Sequence, residues 1–136
     1  MLRTVIIDDE PHIRDTLARL LARYCRQVSL VGDAQGVADG IRVIRTLNPD
    51  LVFLDINMND GTGFDLLRSF ETMDFKVIFI SAFDKASIQA FRLSGVEYLV
   101  KPINPAELMA AVKRIEEVNQ EDLILETQAL LENLKP

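Results

Sequence analysis

The chain has 136 residues, 49% of them hydrophobic and 26% charged, with a formal net charge of −6. That length and apolar content fit a single packed domain and exclude a chain that is disordered throughout, while the acidic balance excludes a protein that coats nucleic acid, because contacts to phosphates need clustered Lys and Arg. No apolar run approaches the roughly 18 residues needed to cross a bilayer, and Asp8, Asp9 and Glu10 interrupt the only stretch that opens like a secretory leader, so a cytoplasmic location with no membrane association is expected.

Short apolar runs and segments of helical period alternate along the chain. Thr4 to Ile7 reads as a first strand, and Ile13, Leu17, Leu20, Leu21 and Tyr24 mark one face of a first helix. The only cysteine, Cys25, follows; alone it forms no intramolecular disulfide or cysteine metal cluster, and it reads as a small apolar filler. Val28 to Val31 is a second strand, and Val37, Ile41, Ile44 and Leu47 mark a second helix. Leu51 to Leu54 is a third strand, with Phe64, Leu67 and Phe70 suggesting the helix after it. Val77 to Ile80 is a fourth strand, with Ile88, Phe91 and Leu93 on a fourth helix. Tyr98 to Val100 is a fifth strand, and Leu108, Ala111, Val112 and Ile115 define a fifth helix. Asn104 at the cap and Pro105 in the first turn give that last helix a defined start. The strands lack strict polar alternation, as expected where both faces are covered. Five strands alternating with five helices predict an α/β fold with an open, doubly wound parallel sheet.

In such sheets ligands gather beyond the carboxyl ends of the strands. The residues there are Asp8, Asp9 and Glu10 after the first strand, Asp33 after the second, Asp55 and Asn57 around the end of the third, Ser81 and Ala82 after the fourth, and Lys101 and Pro102 after the fifth. Carboxylates converging in a partly dry site need a cation, and a hard divalent ion such as Mg²⁺ suits oxygen ligands plus phosphate oxygens. Lys101 offers a point charge and Ser81 a hydroxyl to an arriving phosphoryl group, with a carboxylate as nucleophile.

Ile7-Asp8-Asp9-Glu10-Pro11, Asp50 through Met58, Gly61 with Gly63, Ser81-Ala82 and Tyr98-Leu99-Val100-Lys101-Pro102-Ile103 together resemble the receiver domains of two-component response regulators. The resemblance covers roughly residues 2–118 and implies a flavodoxin-like sheet of order 2-1-3-4-5. It implies Asp55 as the phosphoacceptor, and Asp9, Asp55 and the carbonyl of Asn57 as Mg²⁺ ligands, with Asp8 acting mainly through water. Lys101, Ser81 and Ala82 would bind the phosphoryl group, Ser81 and Tyr98 would form the switch pair, and the Lys101–Pro102 peptide would be cis. The partners implied are a sensor histidine kinase and a second copy of the chain on phosphorylation, through the face of the fourth helix, fifth strand and fifth helix.

A narrower resemblance lies in Ser81-Ala82-Phe83-Asp84, Ala86-Ile88-Ala90-Phe91 and Glu97-Tyr98-Leu99, which are similar to receivers of the LytTR (LytR/AlgR-type) subfamily. It implies transcription regulation, with DNA reached only through an output domain that is not in this chain. Many receivers carry Pro where Asn59 stands here, which leaves the stiffness of that loop in question.

Other readings of these residues weigh against the resemblance. Asp33 and Asp84 read as caps or solvated residues, and His12, alone at a helix start, reads as exposed. A haloacid-dehalogenase-like phosphatase also places Asp after a strand, but needs a second Asp where Asn57 stands. A pseudo-receiver that binds partners without phosphorylation lacks an acid or the Lys, and neither is missing here. The expected role is therefore a phosphoacceptor signalling domain rather than an enzyme with a separate substrate. Phe83 is expected to hinder the water that attacks the acyl phosphate. Residues 116–136 carry a net charge of −5 and residues 1–115 a net of −1. The expected division is a receiver over 1–118 and an acidic helical extension or linker over 119–136, leading toward an output domain.

Overall fold

The computed structural model describes residues 1–82, 96–118 and 120–133. Its main sheet has five parallel strands in the order β2-β1-β3-β6-β7, formed by β1 (Leu2–Ile7), β2 (Val28–Ala34), β3 (Leu51–Asp55), β6 (Lys76–Ser81) and β7 (Glu97–Val100). The 2-1-3-4-5 order is the expected one, and each expected strand lies inside an observed one. Every residue of β3 and β6 is buried, which explains why these runs read as continuously apolar.

Helices cover both faces and divide the core in two. On one side α1 (Pro11–Tyr24) and α4 (Pro105–Glu117) bury Leu17, Leu21, Leu108, Ala111, Val112 and Ile115 against Ile6, Phe53, Ile78 and Ile80. On the other, α2 (Val37–Leu47) and α3 (Gly63–Arg68) pack Val43, Ile44, Leu66 and Leu67 on Ile7, Leu54 and Phe79. Asn104 caps α4 by accepting from the amides of Ala106 (2.8 Å) and Glu107 (3.2 Å). Tyr24 ends α1 on the surface and not in the core. Phe70 lies past the end of α3 and meets Phe75 edge-on at 5.5 Å.

The sequence did not show a hairpin after the third strand, nor that the expected C-terminal helix would seat on its own domain. A two-stranded hairpin, β4 (Asn57–Met58) with β5 (Gly61–Thr62), follows the third strand. Its turn uses Gly61 at φ 145°, a value side chains disfavour. The acidic C-terminal segment forms α5 (Gln120–Asn133) and packs on its own domain, burying Leu123, Thr127, Leu130 and Leu131. Their spacing of four, three and one residues is a single helical stripe. Lys76, the first residue of β6, donates from Nζ to the carbonyls of Ile115 (2.7 Å) and Val118 (3.0 Å), so it fastens the junction between α4 and α5 to the sheet. The fourth helix expected from Ile88, Phe91 and Leu93, together with Phe83, Asp84, Ala86 and Ala90, lies outside the described residues.

Candidate functional site

The parallel sheet aims every strand's carboxyl end at one rim. Because β1 and β3 are neighbours, Asp8 and Asp9 just past β1 lie beside Asp55 at the end of β3. One carboxylate oxygen of each lies within 4.8 Å of the others. Asp8 is fully buried and Asp55 is 3% exposed. Asp8 Oδ1 accepts from the amide of Glu10 at 2.8 Å, which turns the chain into α1.

Lys101, immediately after β7, reaches into this cluster. Its Nζ lies 2.9 Å from Asp8 Oδ2, 3.4 Å from Asp55 Oδ2 and 3.5 Å from Glu10 Oε1. The Lys101 amide donates to the carbonyl of Ser81 at 2.8 Å, tying the ends of β6 and β7 together, and the Lys101–Pro102 peptide is cis. Ser81 is buried at the end of β6, Ala82 is exposed beside it, and Tyr98 is half-buried on β7 against the core.

These neighbours set the ionisation of the site. Burial and the facing Asp8 push the Asp55 carboxyl up to about 7 against the opposing pull of Lys101, with Asp9 adding to the rise. Burial alone lowers the Lys101 ammonium, but its bond to Asp8 and the charges of Asp55, Asp8 and Glu10 outweigh that and hold it above its usual value. One ammonium therefore serves several carboxylates, and buried Asp8 Oδ2 has its 2.9 Å ion pair with Lys101 as its sole polar contact among the described residues. A second cation would relieve both conditions, and an all-oxygen donor set of this kind suits a hard divalent ion. The residues present fit such an ion, with Asp8, Asp9 and Asp55 as its holders.

Two pairings escaped the sequence reading. Glu10 is a third carboxylate on Lys101. Arg14, on the first turns of α1, donates from Nη1 to the Asp8 carbonyl at 2.5 Å and pairs through Nε with Asp33 at 3.3 Å. Asp33 lies within β2 and is exposed, so it caps no helix; the α2 cap is Gly36. His12 is exposed, 3.3 Å from Glu10. Asn57 is exposed on the hairpin, whose Asn59-Asp60 turn is held without proline. Asp60 accepts from the first amides of α2, and Thr62 and Asp65 form a reciprocal cap on α3.

A family model for the response regulator receiver domain matches residues 4–113. The chain belongs to the response regulator receiver family. It is 44% identical over 120 residues to an uncharacterised response regulatory protein of Vibrio parahaemolyticus, an alignment covering 87% of this chain and 49% of that protein. It is 31% identical over 130 residues to the sensory transduction protein LytT of Bacillus subtilis, covering 94% of this chain and 53% of LytT. Among solved structures, the signal receiver domain assigned to NarL of Mycobacterium tuberculosis superposes with a TM-score of 0.72 at 28% identity, covering 87% of this receiver and 98% of that one. The LytT relatives support the LytTR-type reading of the residues around Ser81 and Tyr98. The receiver spans about half the length of the curated relatives it matches. Among its described residues no helix is long and apolar enough to cross a membrane.

Proposed function

We propose that this receiver is a phosphorylation-driven switch in which Asp55 accepts a phosphoryl group from a histidine kinase, with Mg²⁺ held by Asp9, Asp55 and the Asn57 carbonyl and by Asp8 through water. The observation that carries this reading is the placement of Asp55: a nearly buried carboxylate at the end of the central strand, between an ammonium 3.4 Å away and two further acids. A carboxylate so enclosed has little water around it and a fixed direction of approach.

In the transfer, an Asp55 oxygen attacks phosphorus. A new O–P bond forms, and the bond from phosphorus to the kinase imidazole breaks, leaving its electron pair on the imidazole nitrogen. Bound Mg²⁺ supplies positive charge to the phosphoryl oxygens. Lys101 moves its charge from the acids to a phosphoryl oxygen, and the Ser81 hydroxyl and Ala82 amide donate to the others. With Ser81 drawn toward the phosphoryl group, the Tyr98 ring turns inward behind it and alters the face built on β7 and α4. Such a two-state element, biased by one charged group, is a sufficient physical account of a switch. The altered face favours dimerisation. In the longer protein suggested by the relatives it governs a LytTR-type output domain, and α5 stands between receiver and output.

The test is incubation with Mg²⁺ and a small phosphodonor, followed by intact mass. One phosphoryl adduct on the wild type, absent from Asp55→Asn, is the expected result. No adduct, or one that persists in Asp55→Asn, overturns the proposal.

A further inference from the structure

The hairpin after β3 carries Asn57 beside the acid cluster, and it is pinned to a helix distant in sequence. Asp60, in its turn, places Oδ1 2.8 Å from the amide of Val37 and Oδ2 3.2 Å from that of Ala38, the first two residues of α2. The N-cap of α2 is Gly36, which has no side chain to satisfy those amides, so Asp60 caps the helix from 22 to 23 residues away. The two amides hold the Asp60 carboxyl below the usual carboxylate range. Gly36 also makes room: a Cβ there would lie 2.6 Å from Asp60 Oδ1. The rest of the hairpin is fixed by the Asn57–Thr62 and Met58–Gly61 pairs and by the Gly63 amide, which donates to the Ile56 carbonyl at 2.8 Å. Without Asp60, the turn loses its two hydrogen bonds to α2 and keeps only the packing of Gly61 beside Val37.

We propose that Asp60 is a positioning residue for the metal site: by clamping the hairpin turn to the N-terminus of α2, it holds the Asn57 carbonyl where a divalent cation between Asp9 and Asp55 meets it. This rests on the switch reading above for the identity of the site. A cap that served α2 alone would affect stability and leave cation affinity untouched, which separates the two roles. Residues that orient a metal ligand without touching the metal commonly govern affinity by an order of magnitude or more.

The experiment is an Mg²⁺ titration of the full chain, followed through the amide resonances of Asp9 and Asn57, with thermal midpoints recorded in parallel. Asp60→Ala is expected to weaken Mg²⁺ by about tenfold. Gly36→Ala, which evicts the carboxylate while leaving Asp60 in place, is expected to do the same, and the double variant no worse than either, since both break one clamp. Asp60→Asn retains an oxygen for the Val37 amide and should recover most of the affinity. Unchanged Mg²⁺ affinity in Asp60→Ala, with only the thermal midpoint lowered, overturns the proposal, as does full additivity of the two variants. A wild type that binds Mg²⁺ but takes no phosphoryl group on Asp55 sinks the switch reading and leaves the variant comparison intact. A wild type that binds no Mg²⁺ overturns both.

Discussion

Lys76, at the amino end of β6, is 9% exposed, and Lys101, beyond the carboxyl end of β7, has a side chain 10% exposed, yet the two are held in opposite ways. Lys76 donates hydrogen bonds to two backbone carbonyls at the α4–α5 junction. Those acceptors are fixed and uncharged, and nothing that binds at the far rim changes them. Lys101 faces three carboxylates, two just past β1 and one at the end of β3, and shares one ammonium among them. Its partners are charged, mutually repelling and open to competition from any cation or anion that enters. The same residue type thus makes a rivet at one end of the sheet and an exchangeable counter-ion at the other.

The sharpest way to break the comparison is Lys76→Ala. It strands the buried carbonyl of Ile115 and the partly buried one of Val118, and should cost about 3 kcal/mol in urea denaturation while leaving Mg²⁺ affinity of the folded protein unchanged. A matching loss of Mg²⁺ affinity would mean that the two ends are not independent. A smaller effect is expected from Asp55→Asn in EDTA. The Asp55 carboxyl, at about 7 in the folded state against an ordinary 3.8, keeps its proton in the fold and loses it in the unfolded chain across that interval. Stability of the metal-free wild type should therefore fall as pH rises from about 4 to 7 and level off above, since the unfolded state binds fewer protons there. Asp55→Asn should flatten that slope and be the more stable protein at pH 8, by about 2 kcal/mol, with little difference at pH 5. Equal slopes in the two proteins would show that Asp55 is not the strained group. The smallest effect belongs to Glu10→Gln. Its carboxylate is half-exposed and 3.5 Å from Lys101, so removing its charge should shift stability by no more than about 0.5 kcal/mol in the same denaturation assay.

What the sequence revealed and what it hid follow from one distinction. The buried strands announce themselves because a strand covered on both faces must be apolar throughout, as Leu51 to Leu54 and Val77 to Ile80 are. The acids and Lys101 were legible because parallel winding sends every strand's end to one rim. The roles of Arg14, Asp60 and Lys76, and the pairing of Glu10 with Lys101, were not, because each depends on a partner that only the packing brings near. Asp60 looks like any polar turn residue until α2 arrives with two free amides. The C-terminal segment read as an acidic helical extension, but no local rule says whether such a helix seats on a partner or on its own domain. Here Leu130 and Leu131 find Met73, Phe75 and Val96 in the same core cluster.

The register shift between Thr4 and Val5, where β1 meets β2, has a consequence for how copies of this protein can meet. β2 is the long edge of the sheet, and an uninterrupted edge of that length is a template for another chain's backbone. The shift kinks the ladder, and exposed Asp33, paired with Arg14, adds charge beside it. The opposite edge strand, β7, is only four residues long, with Glu97 bound to Arg114. Neither border favours strand addition, so a second copy would have to meet side-chain surfaces, which can be rearranged without unzipping the sheet.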